Sequence, residues 1–137
     1  MTKSYRGFLK HPGRVASLFP SSQALSRIIA AQVRRADDEY VIELGAGTGS
    51  VTHAILSSGV VADKLIIVEI DRVMAQFLRT AYPTVTVLEC SAFDIMQSLP
   101  QPAMGKVGCV VCSLPVALYP LEVQRRLAAI ILSLMHP

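Results

Sequence analysis

The segment from Glu43 to Gly49 has the residue pattern best suited to binding a ligand. It reads Glu43-Leu44-Gly45-Ala46-Gly47-Thr48-Gly49 and lies between an apolar run and a predicted helix. Glycines let the backbone turn tightly and approach a ligand, and the start of a helix offers unpaired N–H groups and a partial positive charge. The segment is therefore predicted to bind a nucleotide-type ligand. The alternative is a glycine-rich turn that binds nothing.

The glycine spacing restricts which class of nucleotide-type ligand the segment can bind. Gly45, Gly47 and Gly49 form G-x-G-x-G, whereas the dinucleotide fingerprint is G-x-G-x-x-G and would need a glycine in place of Ser50. A Walker A loop is excluded because no Gly-Lys-Ser/Thr follows. The carboxylate of Glu43 suits a ligand that carries an ammonium group rather than a pyrophosphate.

A second acidic residue, Glu69, lies about 20 residues beyond the glycines, at the end of the next apolar run. A carboxylate at that place can accept hydrogen bonds from both hydroxyls of a ribose. Asp71, on the same loop, is predicted to be the N-cap of the helix that begins at Arg72.

A parallel sheet is needed to bring these residues together, and the remaining sequence predicts one. Apolar runs of strand length alternate with segments of helical periodicity. The predicted strands are Tyr40–Leu44, Leu65–Ile70, Val85–Leu88 and Val107–Cys112. The predicted helices run from Ser21 or Ser22 to Arg35, over Ser50–Ser58, Arg72–Ala81 and about Phe93–Leu99, and from Pro120 onward. This order predicts an α/β fold, a doubly wound (Rossmann-like) parallel sheet with helices on both faces and ligands beyond the carboxyl ends of the strands.

Two details of the predicted elements depend on side-chain periodicity. The first helix is expected to bury an apolar stripe formed by Leu25, Ile28, Ile29 and Val33. Cys109 and Cys112 point to opposite faces of their strand and are expected to be core thiols rather than a metal or redox pair. The three histidines are far apart in the chain, so no metal site is predicted.

The composition fits one domain. Of 137 residues, 52% are hydrophobic and 17% are charged, which excludes a disordered chain. Eight Gly, eight Pro and three Cys show neither a repeat nor a dense cysteine framework, which excludes a collagenous or disulfide-rich chain. A net charge of +3 is too small to indicate nucleic-acid binding from bulk charge alone, and nucleic acid is not expected as a partner. No secretory signal peptide is recognisable, so the chain is expected to be cytoplasmic.

Residues 1–20 form a predicted basic amphipathic leader. Its cationic side chains are interleaved with apolar ones and with no acidic residue; they are Lys3, Arg6, Lys10, His11 and Arg14. Such a segment can lie peripherally on an anionic membrane, here the inner face. The alternative is a solvated basic segment that packs loosely on the domain.

The motifs E-L-G-A-G-T-G and V-E-I-D together resemble motifs one and two of class I S-adenosylmethionine-dependent methyltransferases, over most of the chain from Tyr40 onward. The resemblance implies S-adenosylmethionine as the cofactor. The glycine loop, including Ala46 and Thr48, would follow its methionine part, with Glu43 near the amino group. Glu69, followed by Ile70, would hold the ribose. Ser91, followed by Ala92, stands where the family has an acidic contact to the adenine, and Asp94 is expected to cap the short helix.

The segment Ser113-Leu114-Pro115 after the fourth strand is similar to the acceptor motif of methyltransferases that act on amines. The rRNA adenine dimethylases carry Asn-Leu-Pro-Tyr there, and Val116 in place of the tyrosine disfavours a stacked base. The continuation V-A-L-Y-P and the upstream F-L-K, Pro12 and Pro20-Ser21-Ser22 resemble the bacterial phospholipid N-methyltransferases. That resemblance implies methylation of phosphatidylethanolamine towards phosphatidylcholine, with Ser113, the Leu114 carbonyl and Tyr119 positioning the amine.

The family continues beyond the position that corresponds to Pro137 with a fifth strand and a hairpin. The methyltransferase domain, residues 21–137, is therefore expected to lack its C-terminal strands and to associate with itself through an exposed sheet edge. Two other functions remain open. One is methyl transfer to rRNA adenine or a small amine, and the other is a truncated, non-catalytic module that binds S-adenosylmethionine.

Overall fold

Residues 23–136 are described in the computed structural model, so the leader predicted for residues 1–20 lies outside the described part. The helices are α1 (Gln23–Ala31), α2 (Ser50–Ser57), α3 (Arg72–Ala81), α4 (Ile95–Ser98) and α5 (Leu121–Met135). The strands are β1 (Tyr40–Leu44), β2 (Leu65–Val68), β3 (Thr86–Leu88) and β4 (Val107–Cys112). Short 3-10 turns cover Ala62–Lys64, Ala92–Asp94, Gln101–Ala103 and Val116–Leu118.

The four strands form one parallel sheet in the order β3-β2-β1-β4. The chain builds the sheet outward from β1 through β2 to β3, and then crosses back to place β4 on the other side of β1. This reversal is the switch point at which doubly wound sheets bind their ligands. The predicted fold class is confirmed.

Two hydrophobic cores cover the two faces of the sheet. Val41 and Ile67 face a core shared with α1, α2 and α3, whereas Ile42 and Ile66 face a core shared with α4 and α5. Successive residues of a strand point to opposite faces of the sheet, and most are apolar on either face because helices cover both faces. Among the described residues, no helix is both long and apolar enough to cross a membrane.

The buried face of α1 differs from the prediction. Ser26 and Ala30 are its buried residues, while Leu25 and Ile28 are 47% and 60% exposed. Ile29 and Val33 do contact the core. Helix α1 packs mainly on α2, and the small side chains at 26 and 30 face the interior, so part of the apolar stripe is left outside.

Several element ends also differ. Strand β2 ends at Val68, two residues before the predicted end, and the side chain of Glu69 bonds the backbone of the two adjoining loops. Asp71 caps α3 as predicted, accepting a hydrogen bond from Met74 N at 3.0 Å. Asp94 stands at the N-cap position of α4 but makes no capping hydrogen bond, whereas Ser91 caps the preceding 3-10 turn and accepts from Phe93 N at 3.2 Å. Cys112 is exposed rather than a core thiol.

Candidate functional site

Backbone hydrogen bonds hold the strand ends in a row at the carboxyl edge of the sheet. Gly45 N donates to Val68 O at 2.8 Å, Ser113 N donates to Leu44 O at 2.9 Å, and Glu69 N donates to Leu88 O at 3.0 Å. The row therefore runs from the loop after β3, past Glu69 and the glycine loop, to Ser113. The sheet order brings together the ends of four strands that are far apart in the sequence.

The glycine loop adopts a backbone that side chains would disturb. Gly45, Gly47 and Gly49 have φ angles of 75°, 55° and 88°, a region that L residues rarely adopt. A Cβ atom at Gly45 would overlap Cδ2 of Leu114, so the acceptor segment rests directly on the first glycine. Ala46 is buried and Thr48 is exposed. The loop therefore needs glycine at these points, both for its backbone conformation and for the close packing of Leu114 on Gly45.

Hydrogen bonds of the Glu69 side chain link the glycine loop to the loop after β2. Its Oε1 accepts a hydrogen bond from Gly47 N at 2.8 Å, and its Oε2 accepts one from Asp71 N at 2.9 Å. The side chain is 1% exposed, and burial raises the pKa of the carboxyl while the two backbone N–H groups lower it. Each carboxylate oxygen accepts more than one bond, so both retain capacity for a ligand hydroxyl.

Glu43 is fully buried on the α2 and α3 side of the sheet. Its Oε2 accepts a hydrogen bond from Thr52 Oγ1 at 2.5 Å, and its Oε1 has no partner among residues 23–136. The pKa of Glu43 is raised to about 7: burial is the largest cause, the charge of Glu69 adds to the rise, and the hydroxyls of Thr52 and Ser113 oppose it. A buried carboxyl with one unused oxygen is suited to receive a polar or cationic group.

The acceptor segment differs in detail from its predicted arrangement. The Ser113 hydroxyl is buried and has no partner in the described part of the chain. The Leu114 carbonyl accepts from Val116 N at 2.8 Å and keeps one lone pair. Tyr119 is 6% exposed and belongs to the core under α4 and α5, so its role towards an acceptor stays a prediction.

The loop after β3 offers weaker ligand contacts than the glycine loop. Ser91 uses one lone pair of its hydroxyl for the turn at Phe93, and Ala92 is buried. Ile70, on the neighbouring loop after β2, is 39% exposed. The contact of Ser91 to an adenine therefore stays a prediction.

The observed groups fit the cofactor that the motifs imply. The fit rests on the positive-φ glycine backbone after β1, on Glu69 at the next strand end, and on the Oε1 of Glu43, which has no partner in the described residues. Within residues 23–136, no three histidine, cysteine or acidic side chains come together as metal ligands.

Two residues near Glu43 were not singled out from the sequence. Thr52 is the hydrogen-bond partner of Glu43 and is fully buried. Tyr82, just after α3, lies 3.5 Å from where a Cβ of Gly49 would be, and burial and the charge of Glu43 raise the pKa of its phenol. In the sequence, Thr52 could have been noticed as a polar residue next to Val51, which α2 buries.

Comparisons with known proteins find relatives of two kinds, while no protein-family model matches the chain. The chain is 34% identical over 133 residues to an ornithine lipid N-methyltransferase of Singulisphaera acidiphila, covering 95% of the chain and 69% of that protein. It is 35% identical over 77 residues to ribosomal RNA small subunit methyltransferase A of Chlorobium phaeobacteroides, and 31% identical over 77 residues to that of Chlorobium luteolum. These matches cover 56% of the chain and 28% and 27% of the two proteins.

Proposed function

This chain belongs to the S-adenosylmethionine-dependent methyltransferases, and we propose that it transfers methyl groups to the amine of a membrane-lipid headgroup. The relation to an ornithine lipid N-methyltransferase supports nitrogen as the acceptor atom. Phosphatidylethanolamine, methylated towards phosphatidylcholine, is the proposed substrate. The amine headgroup of ornithine lipid is the second candidate, favoured by the name of the relative that spans 95% of the chain.

The observation that carries this proposal is the contact between the acceptor segment and the glycine loop. Leu114 rests on Gly45, and Ser113 N is bonded to Leu44 O at 2.9 Å. An acceptor held at Ser113 would therefore lie beside a cofactor held along the loop. Such placement supplies most of the catalytic effect, since well-oriented reactants gain about 7 to 11 kcal/mol over free ones.

Different residues of the site would bind the cofactor and orient the acceptor amine. S-adenosylmethionine, when bound, supplies an activated methyl group on a sulfonium that leaves as a neutral thioether. The glycine loop and Glu69 would hold the cofactor, while the Ser113 hydroxyl and the Leu114 carbonyl would accept hydrogen bonds from the amine and direct its lone pair. The amine must arrive neutral, because a protonated amine has no lone pair to donate.

A lipid acceptor is favoured over a base by two features. Val116 stands where a stacking ring would be, and it is half-buried in the turn after Pro115. Ile28 and Leu25 expose apolar surface on α1, which follows the basic leader directly. Apolar side chains beside cations are what a protein needs to lie on an anionic bilayer, so peripheral membrane association belongs to this proposal.

The experiment is transfer of labelled methyl from S-adenosylmethionine to vesicles that contain anionic lipid and either phosphatidylethanolamine or ornithine lipid. Chromatography of the extract then shows which lipid carries label. Parallel reactions use small-subunit rRNA and vesicles without an amine lipid. Label in mono- or dimethylated phosphatidylethanolamine supports the proposed substrate, and label only in ornithine lipid selects the second candidate.

Two further outcomes would contradict the lipid proposal. Label in rRNA but in neither lipid would favour the base acceptor suggested by the ribosomal relatives. Cofactor binding without transfer to any acceptor would leave a non-catalytic binding module. Cofactor binding is measured in the same preparation by titration calorimetry.

A further inference from the structure

Glu43 and Ser113 lie on the same face of the sheet, on neighbouring strands. Glu43 pairs in register with Val111, and side chains alternate along a strand, so Ser113 projects to the same side as Val111 and Glu43. Ser113 N is bonded to Leu44 O at 2.9 Å, which fixes the backbone of Ser113 against β1. The two side chains are therefore diagonal neighbours on the face that α2 covers.

Both side chains have an unused polar atom. Oε1 of Glu43 and Oγ of Ser113 are buried without a hydrogen-bond partner within the described residues. The Ser113 hydroxyl lowers the pKa of the Glu43 carboxyl, in keeping with their places as neighbours on one face of the sheet. Buried polar atoms are nearly always satisfied, and each of these offers what the other lacks, a donor and an acceptor.

The other carboxylate oxygen of Glu43, Oε2, is held by a hydrogen bond from α2. Thr52 is fully buried on α2 and donates to Oε2 of Glu43 at 2.5 Å. This bond holds Oε2 against α2 and leaves Oε1 without a partner in the described residues. A hydroxyl on the helix thus determines where the free oxygen of Glu43 lies.

We propose that Thr52 is a positioning residue that acts through Glu43 on Ser113. Thr52 orients the carboxylate, and Oε1 of Glu43 accepts the hydrogen of the Ser113 hydroxyl. The lone pairs of Ser113 Oγ then face the acceptor, where they receive an N–H of the amine. This inference rests on the proposed function for its last step only, because the contact between Glu43 and Ser113 can be measured without turnover.

Other titratable groups also face Glu43. Glu69 lies beyond the end of β2, and its charge raises the pKa of Glu43. Tyr82 lies after α3, and the charge of Glu43 raises the pKa of its phenol. A measured pKa of Glu43 therefore has to be compared among variants that leave Glu69 and Tyr82 unchanged.

The test uses Thr52→Val, which removes the hydroxyl at nearly constant volume, and Thr52→Ser, which restores it. The matched control is Thr80→Val, because Thr80 bonds only Gln76 O on the exposed side of α3. We expect Thr52→Val to lower kcat about tenfold while the KM for S-adenosylmethionine changes less than about twofold. Thr52→Ser should recover most of the rate, and Thr80→Val should match the wild type.

Carbon-13 NMR titration of the Glu43 carboxyl supplies the readout without turnover. Because both hydroxyls lower the pKa of Glu43, Thr52→Val and Ser113→Ala should each raise it. The acidic limb of the kcat profile should move to higher pH in Thr52→Val, since ionised Glu43 is the form that accepts from Ser113.

Three outcomes would overturn the inference. An unchanged Glu43 pKa in Ser113→Ala would show that the two groups do not contact. A higher KM for the cofactor with unchanged kcat in Thr52→Val would assign Glu43 to cofactor binding alone. Equal loss in Thr52→Val and Thr52→Ser would indicate a packing defect. A wild type without methyl transfer would refute the proposed function, while the NMR titration would still decide the contact.

Discussion

Removing the side chain of Glu69 is expected to reduce cofactor affinity, whereas removing that of Ser113 is expected to reduce turnover. Glu69→Ala deletes the carboxylate that ties Gly47 and Asp71 together and that would hold the ribose, so we expect cofactor affinity to fall by about tenfold or more. Ser113→Ala should leave that affinity nearly unchanged and lower turnover. Calorimetry with S-adenosylmethionine and initial rates with lipid vesicles measure the two effects. Equal losses of both properties in both variants would contradict the division of roles.

The buried carboxyl of Glu43 should make stability depend on pH. Its pKa rises from 4.5 to about 7 in the folded chain, so between these values the folded state keeps a proton that the unfolded state releases. Stability should therefore fall as pH rises through this window, by at most about 3 kcal/mol from Glu43. The raised pKa of Glu69 acts in the same direction.

Urea unfolding at pH 5 and pH 8 measures this dependence, with Glu43→Gln as the comparison because glutamine does not titrate. We expect the wild type to lose more stability than Glu43→Gln between the two pH values. Parallel losses in the two proteins would show that Glu43 ionises normally in the fold.

At the scale of elements, the loop after β1 and the loop after β4 share one contact that a single methyl group should break. Gly45→Ala places a Cβ against Leu114 and forces a side chain into a positive φ of 75°. Gly59→Ala is the matched control, since Gly59 has a φ of 109° and nothing within 4 Å of an added Cβ. Backbone strain of about 1 kcal/mol or more is expected in both.

Only Gly45→Ala should displace Leu114 and reduce methyl transfer, and shortening Leu114 to alanine in the same protein should recover part of the loss. Thermal unfolding reports the strain, and initial rates report the displacement. Normal rates in Gly45→Ala would show that the contact with Leu114 does not position the acceptor segment.

The elements themselves were largely predictable from the sequence. Strands β1 and β4 and helix α3 have the predicted bounds, because apolar runs and a capping aspartate are local signals. The buried face of α1 was not predictable, since periodicity identifies an apolar stripe but not which neighbour covers it. Leu25 and Ile28 are exposed because α1 contacts α2 through Ser26 and Ala30.

The site was predictable in its backbone and less so in its side chains. The glycines and Glu69 follow the strand ends, where fold class alone places them. The bond from Thr52 to Glu43 depends on the packing of α2 against β1. Tyr119 is only 6% exposed, and no signal in the sequence indicated this burial, so its role towards an acceptor stays a prediction.

At the scale of the whole molecule, β4 is an outer strand with a single neighbour, β1, in the described sheet. An unpaired strand edge is a template for pairing with another chain. We therefore expect this 137-residue chain to associate with itself as its concentration rises. Sedimentation velocity over a concentration series measures the association. Hydrogen exchange should then show added protection of the β4 amides at high concentration, and a monomer at every concentration would contradict the prediction.

The central position of β1 also has a consequence for how the molecule folds. Leu44 pairs with Val68 of β2 on one side and with Cys112 of β4 on the other. Cys112 follows Leu44 by 68 residues (112 − 44). Contacts between residues so far apart form late, because closing a long loop costs entropy before any pairing compensates for it. The first three strands can assemble while Ser113 is still distant. Refolding followed through cofactor binding should therefore lag behind refolding followed through helix content, and the site should be the last part of the molecule to form.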